Sequence, residues 1–316
     1  MANIKEQKKS RLMPLGVDPI AENFSQVVIF GANGWMGRSS ISIASRLFPK
    51  EKMLLIGSRG AHISIDGQDY EIFTMEDSQT KILENSIFLN FAYLRREKIN
   101  IEGQDAYFEK NSKLTDFALK QVTNRRVRVL INASSGAAQL VEKGLSQDLY
   151  GKMKLDSEKV LKSAGDKNDV CVINNRIFSL SGRFINEFEN LAISKFISTA
   201  LDGRVIEITS PLSTRSYVDA EELTNLLFAV GAECKSLDFD SAGEETTIEN
   251  LAILCGSLLN TEVRISKEVT APSHYVGDTT IFDNLISKYK LKPSSLQSQI
   301  LYTATALKSK KTTREG

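Results

Sequence analysis

The stretch that most constrains the fold is Gln26–Gly37, QVVIFGANGWMG, in which an apolar run passes directly into a series of glycines. Residues 27–30 are all apolar, as in a buried strand, and Gly31, Gly34 and Gly37 follow at intervals of three. Residues 38–47 then have a helical pattern. A strand that ends in glycines and leads into a helix can bring backbone amides and a helix N-terminus up to a pyrophosphate. Taken alone, the glycines are also consistent with a tight turn that binds nothing.

A second apolar run, residues 53–56, follows the helical segment and ends in a polar turn. Strand, helix and strand in this order form the unit that makes a parallel sheet with a right-handed crossover. Further apolar runs at 86–92, 127–131 and 170–173 alternate with helical patterns such as 104–123. We therefore expect an α/β fold, with a Rossmann-type doubly wound parallel sheet and a smaller, mainly helical C-terminal substrate lobe.

The chain of 316 residues is long enough for two lobes. Residues 1–24 are polar and aperiodic, and we expect them to form an N-terminal extension that lies on the surface or has no fixed structure. Residues 25–177 would form the dinucleotide-binding domain, and residues 178–307 the substrate lobe, interleaved with the sheet and closing over the carboxyl ends of its strands. The charged segment 308–316 is typical of a disordered tail.

Composition disfavours several classes of partner. The 40 Lys and Arg residues against 39 Asp and Glu leave a net charge of +1, which gives no reason to expect nucleic acid or a membrane surface. No apolar run is long enough for a transmembrane helix, and the N-terminal lysines are not followed by the apolar segment of a signal peptide. The 3 Cys and 2 His are dispersed and predict neither disulfides nor a metal site. We expect a cytoplasmic protein with a small-molecule substrate.

The end of the second strand indicates which dinucleotide is bound. In a unit of this kind an acidic residue at that place binds the adenosine ribose 2′-hydroxyl of NAD. Here the place holds Ser58 and Arg59, and a guanidinium accepts no hydrogen bond but pairs with a 2′-phosphate. The sequence therefore favours NADP, with NAD as the alternative if Arg59 is simply an exposed loop residue. The expected cofactor contacts in the loop and the first helical turn are Gly31, Asn33, Gly34, Trp35, Met36 and Gly37.

A second motif, YGKMK, begins another helical pattern and contains Tyr150 and Lys154, which share one face of that helix. A nearby ammonium and an oxidised nicotinamide favour the phenolate, and so lower the pKa of the phenol from about 10. Such a pair can exchange a proton with a hydroxyl or carbonyl that loses or gains a hydride. Ser134, or as second choice Ser135, would hold the reacting oxygen, because both lie at the C-terminal end of a predicted strand. The pair alone is also compatible with an ordinary amphipathic helix.

Together, GANGWMG, NFAYLRR, INASS, YGKMK, RIFSLSG and RSYVDAEEL resemble segments of the extended short-chain dehydrogenase/reductase family, in particular its nucleotide-sugar epimerases and dehydratases. The resemblance covers residues 26–307 and implies a nucleotide-sugar substrate and a homodimer. It implies that Ser134, Tyr150 and Lys154 are catalytic. The other cofactor contacts that it implies are Phe91, Ala92, Leu94, Arg95, Asn111 and Phe178, besides Tyr150 and Lys154, and the substrate contacts are Ser135, Ser179 and Arg215.

Three departures from the family pattern bear on the reaction. Ser179 stands where the family usually has Asn, no carboxylate follows the two serines, and the segment before Asp278 lacks the family's second phosphate-binding Arg. The missing carboxylate disfavours 4,6-dehydration. We expect NAD(P)-dependent oxidoreduction at a sugar hydroxyl or ketone, first of all C4 epimerisation of a nucleotide-sugar. The alternatives are an NADPH-dependent 4-ketoreductase and, from another class, a non-catalytic NAD(P)-sensing protein.

Overall fold

A computed structural model of the chain describes residues 20–185 and 191–315, with side chains up to residue 309. The strands are β1 (Val27–Phe30), β2 (Met53–Ile56), β3 (Ala61–Ile65), β4 (Gln68–Ile72), β5 (Ser86–Asn90), β6 (Val127–Ser135), β7 (Cys171–Ile177), β8 (Ser179–Ser181), β9 (Ile206–Ile208), β10 (Thr214–Asp219), β11 (Leu237–Ser241), β12 (Glu244–Thr247), β13 (Val263–Ile265) and β14 (His274–Tyr275). The helices are α1 (Ile20–Asn23), α2 (Trp35–Leu47), α3 (Met75–Ser78), α4 (Lys98–Glu102), α5 (Gln104–Thr123), α6 (Gly136–Glu142), α7 (Leu149–Asn168), α8 (Ala192–Leu201), α9 (Ala220–Ala232), α10 (Ile248–Leu259), α11 (Thr279–Lys288) and α12 (Leu296–Glu315).

Six strands form the central sheet, in the order β2-β1-β5-β6-β7-β11. Every neighbouring pair in it is parallel. The expected α/β fold with a doubly wound parallel sheet is thereby confirmed. Because all strands point the same way, their carboxyl ends meet at one edge, which is where ligands bind in this architecture.

Helices cover both faces of this sheet, and alternate strand residues pack against each layer. Ile29 and Ile131 belong to the cluster that includes α2 and α9, whereas Val28 and Leu130 pack with the side chains of α5 and α7. This explains why the strands lack polar alternation in sequence, since both faces are buried. Burial of each such side chain is worth about 1.5–3 kcal/mol.

The second lobe is built around β10, which pairs antiparallel with β12 and parallel with β8 and β14. A two-stranded parallel pair, β9 with β13, lies beside α10. The lobe thus contains small sheets as well as helices. Strand β11 leaves the lobe and joins the edge of the central sheet next to β7, so the lobe is interleaved with the sheet. No helix in residues 20–185 and 191–315 is long and apolar enough to cross a membrane.

The chain ends differ from the sequence-based expectation. Helix α1 precedes β1, and both Ile20 and Phe24 are buried, so residues 20–24 are packed into the domain rather than lying on its surface. The first 19 residues of the expected extension lie outside the described residues. At the other end, the expected disordered tail is helical, because α12 continues without interruption through Glu315. Elongating a helix that packing has already nucleated needs little further free energy.

Candidate functional site

The glycine loop between β1 and α2 has the geometry that a pyrophosphate site needs. Gly31 has φ +93°, and a Cβ there would lie 2.7 Å from the backbone of Phe91 and Ala92. A Cβ on Gly37 would lie 2.2 Å from the Gly31 carbonyl oxygen. Helix α2 starts after Gly34 with no side-chain cap and no acidic residue in its first turn. Its first N–H groups and its positive end therefore face the loop, as anion binding requires.

Several of the buried polar atoms without a hydrogen-bond partner belong to this loop or to the segment that follows β5. Within the described ranges they include the Oδ1 of Asn33 and the Nε1 of Trp35, and from the segment after β5 the hydroxyl of Tyr93 and the Nδ2 of Asn111. Buried polar groups usually have partners, so four such atoms at one edge of the sheet indicate a ligand. The residues present therefore fit a dinucleotide with its pyrophosphate on the glycine loop. The Met36 amide belongs to the same helical turn.

The end of β2 carries no acidic residue. Gly57 lies against the Asn33 side chain, with 2.9 Å from a Cβ built on Gly57 to the Asn33 Nδ2. Ser58 and Arg59 follow and are both exposed. Gly57 thus joins the end of β2 to the glycine loop, and the exposed Arg59 lies two residues beyond it in the chain.

The segment after β5, which holds four of the expected cofactor contacts, is anchored to α5 by two hydrogen bonds. The Asn111 Oδ1 accepts the Leu94 N–H at 2.8 Å, and the Tyr107 hydroxyl donates to the Leu94 carbonyl at 2.8 Å. These two contacts fix the segment against α5. Phe91, Ala92 and Leu94 are half-buried, whereas Arg95 is exposed.

Tyr150 and Lys154 lie on α7, which is capped at Asp148 through its side chain. The buried Lys154 Nζ donates to the Ala133 carbonyl at 2.7 Å and lies 3.8 Å from the Tyr93 ring centroid. The Tyr93 ring in turn packs edge-on against Tyr150, with 5.9 Å between the ring centroids. Burial lowers the pKa of Lys154 to about 7, against the opposing effect of Glu158. Tyr150 and Lys154 thus lie on one helix, and Tyr93 contacts both of them.

The two serines of β6 point in different directions, as consecutive strand residues do. The buried Ser134 hydroxyl donates to Glu158, which is paired with Arg176. Ser135 caps α6 by accepting the Ala137 N–H at 3.2 Å, and its hydroxyl shares a 3.3 Å hydrogen bond with the Tyr275 hydroxyl. The structure thus gives Ser134, our first choice for holding the reacting oxygen, an internal partner and directs Ser135 towards the substrate lobe.

Tyr275 brings the substrate lobe onto this edge. Its ring packs 4.9 Å from that of Phe178, and a Cβ on Gly136 would lie 2.4 Å from the Phe178 ring. Burial raises the pKa of the Tyr275 hydroxyl, while the Ser135 hydrogen bond and the charges of Arg96 and Arg215 oppose that rise. The predicted contact Phe178 therefore sits in an aromatic corner beside Ser135.

The predicted substrate contacts of the second lobe are at different depths. Arg215 donates from Nη1 to the carbonyls of Thr214 at 2.7 Å and Ser273 at 3.1 Å, and its Cζ lies 5.9 Å from the Tyr275 ring. Ser179 is buried in β8, where it is paired with Tyr217 of β10. Arg215 is thus at the aromatic corner, whereas Ser179 lies beneath it.

Three residues of the site were not singled out from the sequence. Tyr93 lies within NFAYLRR, but nothing in that motif shows that its ring contacts both Tyr150 and Lys154. Glu158 continues the spacing of four from Tyr150 and Lys154, and that spacing could have revealed it. Tyr275 comes from a two-residue strand far along the chain, and nothing in its local sequence points to Ser135.

A parallel sheet with a glycine loop at the start of α2 and a Tyr–Lys pair at its carboxyl edge defines a Rossmann-type dinucleotide-binding protein. The sequence model of the NAD dependent epimerase/dehydratase family matches residues 27–239. This is more than half of the chain, and the protein belongs to that family. None of the curated proteins compared with the chain matches it.

Solved structures of nucleotide-sugar 4-epimerases have the same fold. The UDP-N-acetylglucosamine 4-epimerase of Methanobrevibacter ruminantium, in complex with UDP-N-acetylmuramic acid, is 18% identical with a TM-score of 0.76, covering 91% of this chain and 99% of that one. The Thermus thermophilus UDP-glucose 4-epimerase with NAD is 14% identical with a TM-score of 0.69, and the match covers 90% of this chain and 99% of that one. The Bacillus cereus UDP-N-acetylglucosamine 4-epimerase is 18% identical with a TM-score of 0.68, and the match covers 89% of this chain and 98% of that one.

Proposed function

We propose that the protein is an NAD(P)-dependent 4-epimerase of a nucleotide-sugar. The observation that carries this proposal is that Tyr150 and Lys154 both contact Tyr93, in the segment that follows β5 at the sheet edge that also holds the glycine loop. Tyr150 would exchange the proton of the sugar hydroxyl, and Lys154 would bind the nicotinamide ribose and favour the phenolate. When bound, the nicotinamide supplies the hydride acceptor and donor.

Ser135 rather than Ser134 is the better candidate to hold the reacting oxygen. Its hydroxyl is directed at Tyr275, on the side where the second lobe covers the sheet, whereas the Ser134 hydroxyl is bonded to Glu158. Arg215 would bind a diphosphate of the substrate, since a guanidinium forms bidentate hydrogen bonds with phosphate oxygens. The solved relatives named above act on UDP-sugars by their names, which supports a nucleotide-sugar here.

The alternative reaction is NADPH-dependent reduction of a 4-keto sugar. It is favoured by Arg59, because a guanidinium at the end of β2 suits the 2′-phosphate of NADP, and NADPH usually enters reactions as a consumed reductant. The same Tyr150 would then deliver a proton to the carbonyl oxygen. The two reactions differ in whether the cofactor is regenerated in each cycle.

Turnover assays separate these possibilities. The purified protein is given UDP-, dTDP- or GDP-hexoses without added reductant, and separately NADPH or NADH with 4-keto nucleotide-sugars. Epimerisation without net cofactor change supports the proposal, and stoichiometric NADPH consumption supports the ketoreductase. Tyr150→Phe should lower kcat by about 10²–10⁴-fold, while Tyr70→Phe, whose hydroxyl bonds Gln68 in the β3–β4 hairpin, should leave it unchanged. Cofactor binding without conversion of any sugar would favour the sensing protein instead.

A further inference from the structure

A cavity in the second half of the chain lies between the helices α9 and α11. The space between its walls amounts to about 330 Å³, including its open mouth. The walls come from the end of β10, from both helices and from the segment after α11, and are mostly apolar. They include Val218, Leu226, Phe282, Ile286 and Pro293. None of the residues that line the cavity was assigned to the cofactor or to the sugar, so it shares no lining residue with the candidate site.

The side-chain amide of Asn225 faces this cavity. Glu222, Asn225 and Leu226 follow one another on α9 at spacings of three and four from Glu222, and all three line the cavity, so they share the helix face turned towards it. Asn225 is 1% exposed, and neither its Oδ1 nor its Nδ2 has a hydrogen-bond partner among the described residues. Buried polar groups usually have partners. The amide therefore indicates an occupant of the cavity that supplies both a donor and an acceptor.

Hydrogen bonds on either side of this amide hold the walls of the cavity in place. Ser294, after α11, donates its N–H to the Glu222 carboxylate at 3.0 Å and its hydroxyl to the same group. The Tyr289 hydroxyl, at the end of α11, donates to Glu233 at the end of α9 at 2.6 Å. The second helix is thus tied to the first near both of its ends. The cavity is part of the packing between two fixed helices and not a gap at a loose edge.

We propose that this cavity binds a small planar molecule with a cis-amide edge, which has an N–H donor beside a carbonyl acceptor on an otherwise apolar ring. The Asn225 side chain presents the complementary pair, a carbonyl oxygen and an NH₂ group. Asparagine reads the edges of planar heterocycles through two such hydrogen bonds. The apolar walls suit an uncharged ring, since small-molecule pockets combine apolar walls with a few polar groups that fix the orientation. The competing occupant is ordered water alone.

2-Pyridone and N-methyl-2-pyridone form a matched pair of probes for this cavity. Both are flat six-membered rings with a carbonyl, but the methyl group replaces the N–H donor. In NMR titrations of the purified protein, we expect a Kd for 2-pyridone that is lower by about tenfold or more, because the methyl compound leaves the Asn225 Oδ1 unpaired. Equal Kd values for the two probes, or no binding of 2-pyridone in the millimolar range, would overturn the proposal.

Two variants show whether Asn225 is the group that distinguishes the probes. Asn225→Leu removes both polar atoms at similar volume, whereas Asn284→Leu makes the same change at an exposed position of α11. The preference for 2-pyridone should disappear in Asn225→Leu and persist in Asn284→Leu. Asn225→Leu should fold, because an apolar group of similar size replaces an unpartnered buried amide. A preference that survives in Asn225→Leu would place the ring elsewhere and refute the assignment.

Crystals of the native protein soaked in 2-pyridone give a test that needs no variant. We expect the ring between α9 and α11, with both hydrogen bonds to Asn225. Ordered water alone in the cavity, a ring bound at the glycine loop, or binding at crystal concentration only would each contradict the proposal. The test uses no residue of the proposed function, so a failure of cofactor binding or sugar turnover would leave its outcome unaffected.

Discussion

The ammonium of Lys154 lies 3.8 Å from the centre of the Tyr93 ring and donates its hydrogen bond to the Ala133 carbonyl of β6. An aromatic face attracts a cation through its quadrupole, by about 0.5–2 kcal/mol. Tyr93 thus replaces part of the hydration that Lys154 loses on burial. The phenol hydroxyl has no hydrogen-bond partner among the described residues, so the ring and not the hydroxyl accounts for this contact.

Tyr93→Leu should therefore lower the pKa of Lys154, whereas Tyr93→Phe should not. Leucine keeps the site apolar but has no quadrupole, and the loss corresponds to roughly half a unit to one unit of pKa. The pKa is measured by titrating the ¹³Cε signal of Lys154, which is assigned by its loss in Lys154→Met. A shift of equal size in the phenylalanine variant would show that the hydroxyl, rather than the ring, stabilises the ammonium.

Arg59 should determine which dinucleotide binds more tightly. If Arg59 pairs with the 2′-phosphate as proposed, replacing it with Ala should raise the Kd for NADPH by about 10–100-fold, because a charge-assisted bidentate contact is worth about 1.5–3 kcal/mol. The Kd for NADH should stay within about threefold, since NADH has no 2′-phosphate. Isothermal titration of both cofactors gives the ratio. Tighter binding of NADH by the native protein, unaffected by Arg59→Ala, would contradict the preference for NADP.

Local signals in the sequence were sufficient to predict the bounds of several helices and strands of the first domain. Helix α5 spans Gln104–Thr123 as expected, because its apolar period is continuous and it is bounded by Gly103, with φ +84°, and Asn124. Strand β1 and strand β2 also have the expected bounds. Such elements are predictable because their periodicity and end signals lie within the element itself.

Contacts between residues far apart in the chain determine where β6 ends and which way its two serines are bonded, and the sequence alone does not reveal these contacts. Strand β6 was expected to end at Ile131 but continues to Ser135, because Asn132 exchanges amide hydrogen bonds at 3.0 Å with Asn90 and Asn174 on the neighbouring strands. These side chains pair only once the sheet has formed. The choice between the two serines depends in the same way on Glu158 and Tyr275, which no local pattern links to β6.

Asp66 should stabilise the fold except in strong acid. Burial raises its pKa, but hydrogen bonds from Arg183 and Ser42 and the charge of Arg183 lower it more, to about 2 from 3.8. A carboxyl whose pKa is lower in the folded state stabilises the protein above pH 3.8, and this contribution is lost as the pH falls towards 2. Its side chain is 38% exposed, so we expect Asp66→Asn to cost only about 1 kcal/mol at pH 7.

Urea unfolding of the native protein and of Asp66→Asn between pH 2 and 7 measures this contribution. The difference in unfolding free energy should be constant above about pH 5 and should shrink steadily as the pH falls to 2. Asp69→Asn, on the same hairpin, is the control and should show no such change. A difference that persists unchanged at pH 2 would mean that Asp66 acts through its shape rather than its charge.

Alanine at each of the two serines of β6 should give opposite results. Ser135→Ala removes the hydroxyl that faces Tyr275, so kcat/KM should fall by about 10–100-fold if that hydroxyl holds the reacting oxygen, while the free energy of unfolding changes little. Ser134→Ala leaves one hydrogen bond of the buried Glu158 unmade, which costs about 1–3 kcal/mol in stability. Its kcat/KM should stay within a few-fold, because Arg176 still holds the carboxylate. Steady-state kinetics and urea unfolding of both variants distinguish the two roles, and a larger loss of turnover in Ser134→Ala would return the catalytic assignment to Ser134.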